Sequence, residues 1–339
     1  MTNLEKLDPV DEWLINFTSE KTKRGYRYWF NKFLQFTHKT PKELLDATET
    51  RDGRRQVDLL TKQFFNQLVA EGYSKLSANI AMNSVRSFFK YCGERLPPIP
   101  ESFAPPKEPT YEQRKSLSSE EFQKMLAKCE TPYEKLILET LADTGGRRGV
   151  LTALRLRHVK DGLQEDAPAI IEVPSELLNK DDENVNKEKV SHRTGLTAKT
   201  VNELLEHLEK RRKHKERVTA ESWLLADEAG KPLSPEHIYR LVQRTAKEAK
   251  IQRTVQGKRK RKYRAIHPHI FRSYLKARMK EKGTLDEIFL DMLLGHQERY
   301  RGAYDRYTDD QIREAYRKLE TQPSSSTTGA ASSSGLPKI

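Results

Sequence analysis

The chain has little cysteine and no long apolar run. Cys92 and Cys129 are the only cysteines in 339 residues, too few for a disulfide framework, and both fall in apolar helical patterns that read as buried thiols. No stretch approaches the roughly 20 apolar residues that a bilayer-spanning helix needs. The opening Met1-Thr2-Asn3-Leu4-Glu5 lacks the basic and apolar regions of a signal peptide, so a cytoplasmic location is expected. No Gly-x-x-x-x-Gly-Lys phosphate loop occurs, which argues against an ATP-driven enzyme. His267 and His269, two apart, lack a second pair of ligands, which argues against a metal site. Neither a metal nor a cofactor is expected.

What is abundant is positive charge. Sixty-two Lys and Arg against 49 Asp and Glu leave a formal net charge of +13, which favours a polyanionic partner. The length accommodates two domains. In the first hundred residues Tyr26, Trp29, Phe30, Phe33 and Leu34 recur at helical spacing among Lys21, Lys23, Arg24, Arg27 and Lys32, and Ala81, Val85, Phe88, Phe89 and Cys92 repeat the pattern. An all-helical domain with an aromatic core and a basic exterior is predicted. Pro97-Pro98-Ile99-Pro100 and Pro105-Pro106-Lys107-Glu108-Pro109 then interrupt regular structure.

Order resumes at Ser118-Ser119-Glu120-Glu121, which reads as a capping box ahead of Phe122, Met125 and Leu126. The next helix, through Leu136, Ile137, Leu138 and Leu141, should end near Gly145 and leave Arg147 on a turn. Ala169 to Val173 and Val190 to Leu196 read as a hairpin with Asn179 to Glu188 as its turn. Thr284-x-x-Glu287 reads as a capping box, followed by a helix that Gly295 stops, so that His296 emerges at its end. Thr308-x-x-Gln311 reads as another, with Ile312, Ala315, Tyr316 and Leu319 on one side of the last helix. Residues 323–339 are too poor in apolar bulk to order themselves.

Three motifs stand in order: Thr144-Gly145-Gly146-Arg147, His269-Ile270-Phe271-Arg272 and Leu294-Gly295-His296, with Tyr304 following. Their side chains suit phosphodiester chemistry without metal or nucleotide. A tyrosine phenol can attack a DNA phosphate and hold the strand end covalently, which conserves the broken bond. Two guanidiniums offer planar, bidentate donors to the charged transition state, a role for Arg147 and Arg272. Histidines such as His269 and His296 can donate to the phosphate or exchange a proton with the phenol, and a lysine can protonate the departing 5′ oxygen. The densest basic run, Lys258-Arg259-Lys260-Arg261-Lys262-Tyr263-Arg264, leads into the second motif. Lys258, Arg259, Lys260, Arg261, Lys262 and Arg264 are therefore candidate phosphate contacts.

On these motifs the chain resembles the tyrosine recombinases of the phage integrase family. Thr144 to Val159 is similar to the first arginine motif, Pro268 to Arg272 to the His-x-x-Arg motif, and Leu293 to Tyr304 to the Leu-Gly-His segment leading to the nucleophile. Tyr304-Asp305-Arg306, followed by an acidic helix start, resembles archaeal and mobile-element integrases more than Xer proteins. Val150 departs from the Glu often found after the first arginine, and Ser273 from the His often found after the second.

The resemblance implies a mainly α fold with an N-terminal helical core-binding (SAM-like) domain and an α-rich catalytic domain carrying a small β-hairpin or sheet. The expected limits are 1–104 for the core-binding domain, 105–115 for a linker, 116–322 for the catalytic domain and 323–339 for a disordered tail. It also implies catalytic roles for Arg147, His269, Arg272, His296 and Tyr304. The nucleophile has rivals in Tyr300, Tyr307 and Tyr316. On the family's lysine hairpin, counting back from Leu196 favours Lys187, with Lys180 the competitor and Lys189 behind both.

The activity implied is site-specific recombination of duplex DNA in an archaeal or bacterial cell, encoded by a mobile element. The expected assembly is a homotetramer on paired sites, monomeric or dimeric when free, with no membrane partner. A non-catalytic DNA-binding regulator and a type IB topoisomerase-like enzyme are the alternatives.

Overall fold

The computed structural model describes residues 8–97, 100, 103, 116–181, 183–187, 189–214, 217–256, 262–283, 286–296 and 307–320. The linker 105–115, the basic residues Lys258, Arg259, Lys260 and Arg261, the tyrosines Tyr300 and Tyr304, and the tail 323–339 lie outside them. The chain divides into two compact units, Met1–Tyr111 with Gln256–Tyr263, and Glu112–Val255 with Arg264–Ile339.

The first unit is built from α1 (Pro9–Ile15), α2 (Glu20–Thr37), α3 (Pro41–Thr48), α4 (Arg51–Ala70) and α5 (Lys75–Tyr91). Asp8, Ser19, Thr40, Thr50 and Ser74 precede these helices, and each side chain accepts from a backbone N–H of the first turn that would otherwise lack a partner. The predicted aromatic stripe is core: Phe30 and Phe33 are fully buried, with Tyr26, Trp29 and Leu34 packed against them. Phe88 of α5 meets Phe30 with ring centroids 4.3 Å apart, and Trp13 packs edge-on to both. The α4 helix can begin close to α3 because Gly53 has no side chain; a Cβ there would lie 1.8 Å from the Ala47 carbonyl oxygen.

The second unit runs α6 (Ser119–Leu126), α7 (Pro132–Thr144), α8 (Arg148–Ala153), β1 (Val159–Lys160), β2 (Ala169–Val173), β3 (His192–Leu196), α9 (Ala198–Lys213), α10 (Pro235–Glu248), α11 (Ile270–Glu281), α12 (Glu287–Leu294) and α13 (Asp309–Glu320), while β4 (Thr254–Gln256) and β5 (Lys262–Arg264) fall at the two limits of the 256–263 segment that counts with the first. Ser118 and Glu121 form the expected capping box of α6. The expected hairpin is antiparallel, with Ala169 opposite Leu196 and Val173 opposite His192. A third strand, β1, pairs with β2 and makes a sheet of order β1-β2-β3; at two residues it is too short to leave a period in the sequence. The part of the basic run at Lys262 to Arg264 is strand, paired with β4.

Three local expectations change. The connection between β2 and β3 spans 174–191, longer than the predicted turn, and is tied internally by a bridge between Leu178 and Asn184. Helix α12 is capped by Asp286, whose carboxylate accepts from Ile288 and Phe289 N–H, so the start falls there and not at Thr284, which lies outside the described residues. Both thiols are only half-buried, because Cys92 and Cys129 follow the ends of α5 and α6 rather than occupying their inner faces.

Helix α13 has the predicted capping box, with Thr308 N–H donating to Gln311 and Gln311 N–H to Thr308 Oγ1. Its stripe Ile312, Ala315, Tyr316 and Leu319 packs within the second unit, against Leu275, Met279, Phe289 and Leu293. Ion pairs fasten the same helix to the sheet: Asp309 with Arg193 and Lys160, each at 2.6 Å, and Arg313 with Asp161 at 2.7 Å. Among the described residues, no helix is long and apolar enough to cross a membrane.

Candidate active site

The three motifs converge on Gly145. This residue ends α7 in the left-handed conformation (φ 54°), where a Cβ would come within 2.6 Å of Leu294 and 3.3 Å of the Arg272 Cα. The Arg272 side chain, almost fully buried, donates to the Gly145 carbonyl at 3.1 Å and to the Leu294 carbonyl at 2.6 Å. One guanidinium therefore joins the ends of α7 and α12, using planar donors that the short, single-point ammonium of lysine does not reproduce. Arg147, two residues beyond Gly145, stands at the start of α8 and lines one small cavity with Arg272, His192 and Thr194. Apolar Val150, Leu151, Val173 and Leu293 close the cavity, so the position where relatives often carry Glu contributes an apolar wall here.

His269 precedes α11 on the exposed surface, its ring nearly parallel to that of His267 at 6.2 Å. His296 follows Gly295, which ends α12 in the left-handed conformation. Its Nδ1 lies 3.1 Å from Asp291 Oδ1, and the buried Asp291 also pairs with Lys276 at 2.5 Å. Partial burial first, and the Arg272 charge second, hold both His269 and His296 below the ordinary imidazole value, although Asp291 opposes the shift at His296. Both rings are thus biased to the neutral form, able to accept a proton.

The lysine candidates share one loop. Asn186, buried, donates to the carbonyls of Pro174 at 2.7 Å and Val190 at 2.9 Å and so ties the two ends of the loop together. Its neighbour Val185 packs on Gly149 of α8, where an added Cβ would stand 3.4 Å away. Lys187, exposed, follows Asn186 directly, two residues beyond Val185. Lys180 lies farther out on the loop and pairs with Asp181 at 3.5 Å. Lys189 takes a left-handed backbone, φ 53°.

Two rival tyrosines are engaged elsewhere. Tyr316 is fully buried; its hydroxyl donates to the Asp143 carbonyl at 2.8 Å and lies 3.2 Å from Thr194 Oγ1. The Tyr307 hydroxyl donates to Asp286, and its ring packs edge-on against Phe289.

The sequence reading missed the groups behind the site. Asp143 is buried and accepts from Thr197 N–H at 2.9 Å, from the Thr197 and Thr200 hydroxyls at 2.7 Å each, and from Arg278 at 3.1 Å. It fixes α7, and hence the Gly145-Arg147 turn, to β3, α9 and α11. The only local sign is an acidic residue placed before Thr144-Gly145-Gly146-Arg147. His192, on the cavity wall, belongs to no motif. Among the described residues no group of three or more His, Cys, Asp or Glu could hold a metal ion.

The sequence profile of the Phage integrase family matches residues 115–313, and the chain belongs to that family. Among solved structures it is similar to the integrase of transposon Tn1549 in complex with transposon right end DNA, at 14% identity over 92% of this chain and 98% of that one, with a TM-score of 0.58. It is also similar to a lambda integrase dimer bound to a COC′ core site, at 16% identity over 93% and 96% of the two chains, with a TM-score of 0.55. A lambda integrase tetramer bound to a Holliday junction matches at 17% identity over 93% and 78%, with a TM-score of 0.54. At these identities the likeness is one of fold. Among curated protein sequences none matches the chain.

Proposed function

We propose that the protein is a site-specific DNA recombinase that cuts and rejoins duplex DNA through a 3′-phosphotyrosine. The observation that carries this reading is the meeting of three sequence-distant motifs at Gly145, which brings Arg147 and Arg272 to one cavity beside His296. In this reading Arg147 and Arg272 neutralise the non-bridging oxygens of the scissile phosphate, Tyr304 attacks, and neutral His269 or His296 takes the phenolic proton. Lys187 protonates the leaving 5′ oxygen. The contact of Val185, two residues before Lys187 and five after Lys180, with Gly149 of α8 favours Lys187.

Residues 1–104 serve as the core-binding domain, 105–115 as the linker and 116–322 as the catalytic domain. Lys258, Arg259, Lys260, Arg261, Lys262 and Arg264 contact DNA phosphates. The working form is a homotetramer on paired sites, in keeping with the lambda integrase tetramer on a Holliday junction, and it acts in the cytoplasm.

The test starts from a duplex site recovered from a randomised pool and placed on two labelled DNAs. Recombinant joints are expected; supercoil relaxation alone would indicate a topoisomerase, and a gel shift without covalent product a binding protein. Tyr304→Phe should bind the site as the parent does and yield no covalent product. For the acid, Lys187→Ala should cleave slowly on ordinary DNA and recover on a bridging 5′-phosphorothiolate, whose thiolate leaves unprotonated. Recovery by Lys180→Ala instead would move the acid to Lys180.

A further inference from the structure

We propose that His192 is a positioning residue of the cleavage site, its imidazole touching both the Leu294-Gly295-His296 turn and the end of the loop that carries Lys187. The proposal rests on the recombinase reading above and adds a residue that belongs to none of the three motifs.

Contact comes first. A Cβ on Gly295 would lie 2.6 Å from both Cε1 and Nδ1 of His192, so the ring packs directly on the backbone that presents His296. The same Nδ1 lies 3.4 Å from the carbonyl oxygen of Val190, three residues beyond Lys187. The ring also lines the cavity that holds Arg147 and Arg272. It therefore touches backbone near the candidate general acid, Lys187, and beside a candidate proton acceptor, His296. Gly295 serves this contact twice: it adopts φ 64°, and it leaves room for the ring.

Charge explains why an imidazole suits the position. Arg147 faces it from the start of α8, Arg272 from α11 and His296 from the end of α12, while the loop before its strand offers the Val190 carbonyl. Burial, only partly opposed by the Val190 contact, lowers its pKa to about 4, and the neighbouring cations deepen the shift. The ring is then neutral while the site works. A flat, uncharged spacer adds no charge beside the two guanidiniums, whereas a fixed cation would repel them and compete with them for a phosphate.

The experiment uses the full chain and a nicked duplex carrying the site that the parent selects from a randomised pool. With DNA saturating, His192→Ala should slow covalent attachment roughly ten- to a hundredfold, the cost of a misplaced reacting group, while affinity for the uncut duplex stays at the parental value. His192→Asn, planar and uncharged, should restore most of the rate. Gly295→Ala should slow the parent because its methyl group strikes the ring. In the His192→Ala background the same change should cost less, since the φ strain is common to both backgrounds and only the clash is relieved. His192→Asn and the paired Gly295→Ala measurements decide the matter if His192→Ala folds poorly. Loss of attachment in parallel with affinity, an Asn variant as slow as Ala, or fully multiplicative effects would overturn the positioning role. If the parent itself forms no covalent product, the recombinase reading fails instead.

Discussion

The two units of this protein bury polar groups in different ways. In the first unit they are mostly bonded within one helix: Thr61 donates to the Val57 carbonyl and Asp58 pairs with Lys62, each four residues away, and Thr48 donates to Leu45, three away. In the second unit the bonds run between distant segments. Asp143 to Thr197 spans 54 residues, Arg272 to Gly145 spans 127 and Tyr316 to Asp143 spans 173. An aromatic core holds helices together and tolerates small shifts. A long-range polar network also sets where each chain segment ends, which is what a site assembled from three sequence-distant motifs requires.

The largest effect should follow from Asp143→Ala. It leaves the largely buried Arg278 without this carboxylate and strips the acceptor from Thr197 and Thr200, so stability should fall by about 3–5 kcal/mol. Cleavage per folded molecule should fall with it, because the Gly145-Arg147 turn loses its brace. Denaturant melts combined with single-turnover cleavage check both parts; a stability loss with an unaltered rate would dissolve the distinction between the two units.

Phe88→Ala is the matching change in the first unit. Removing a fully buried ring that packs on Phe30 and Trp13 should cost about 3–5 kcal/mol. Here cleavage per folded molecule at saturating DNA should stay at the parental level. A rate loss as large as that of Asp143→Ala would show that the aromatic core also sets the site.

A smaller effect lies in pH. Two buried groups of the second unit pull in opposite directions. Burial and the facing arginines press His192 from 6.5 to about 4, so its contribution to stability is complete above 6.5 and is lost as pH falls toward 4. Burial, with Glu203 beside it, lifts Glu139 above its ordinary 4.5, so its contribution is complete below 4.5 and is lost as pH rises through the folded value. Stability should therefore pass through a maximum, and Glu139→Gln should remove the decline on the alkaline side. Melting temperatures across this range test it; a Gln variant with the parental decline would assign that decline to other groups.

The same contrast explains what was legible in the sequence. Features fixed by neighbours in the chain could be read directly: the stripe from Tyr26 to Leu34, the capping boxes at Ser118 and Thr308, the end of α7 at Gly145, and the β2–β3 pairing. The cap at Asp286 was displaced to Thr284 because both placements suit the local pattern, and the three-dimensional setting selects one. The two-residue strand β1 carries no periodicity to detect. Asp143 and His192 were missed for a further reason: Thr197, Thr200 and Arg278 around Asp143, and Gly295 against His192, come from segments far away in the chain, and the place of Asp143 before Thr144 is the only local sign of either. The motif residues Arg147, Arg272 and His296 could be named from pattern, yet their convergence at one glycine is a property of the fold.

The claim that the site is a DNA-cleaving centre built around Tyr304 is tested most directly by trapping. The parent protein is incubated with a nicked duplex bearing its selected site, the covalent product is digested, and the nucleotide-bearing peptide is sequenced by mass spectrometry. The account predicts a single adduct, a 3′-phosphate ester on Tyr304, that disappears with Arg147→Ala or Arg272→Ala. An adduct on Tyr307 or Tyr300, or none under conditions in which the duplex is fully bound, would contradict it.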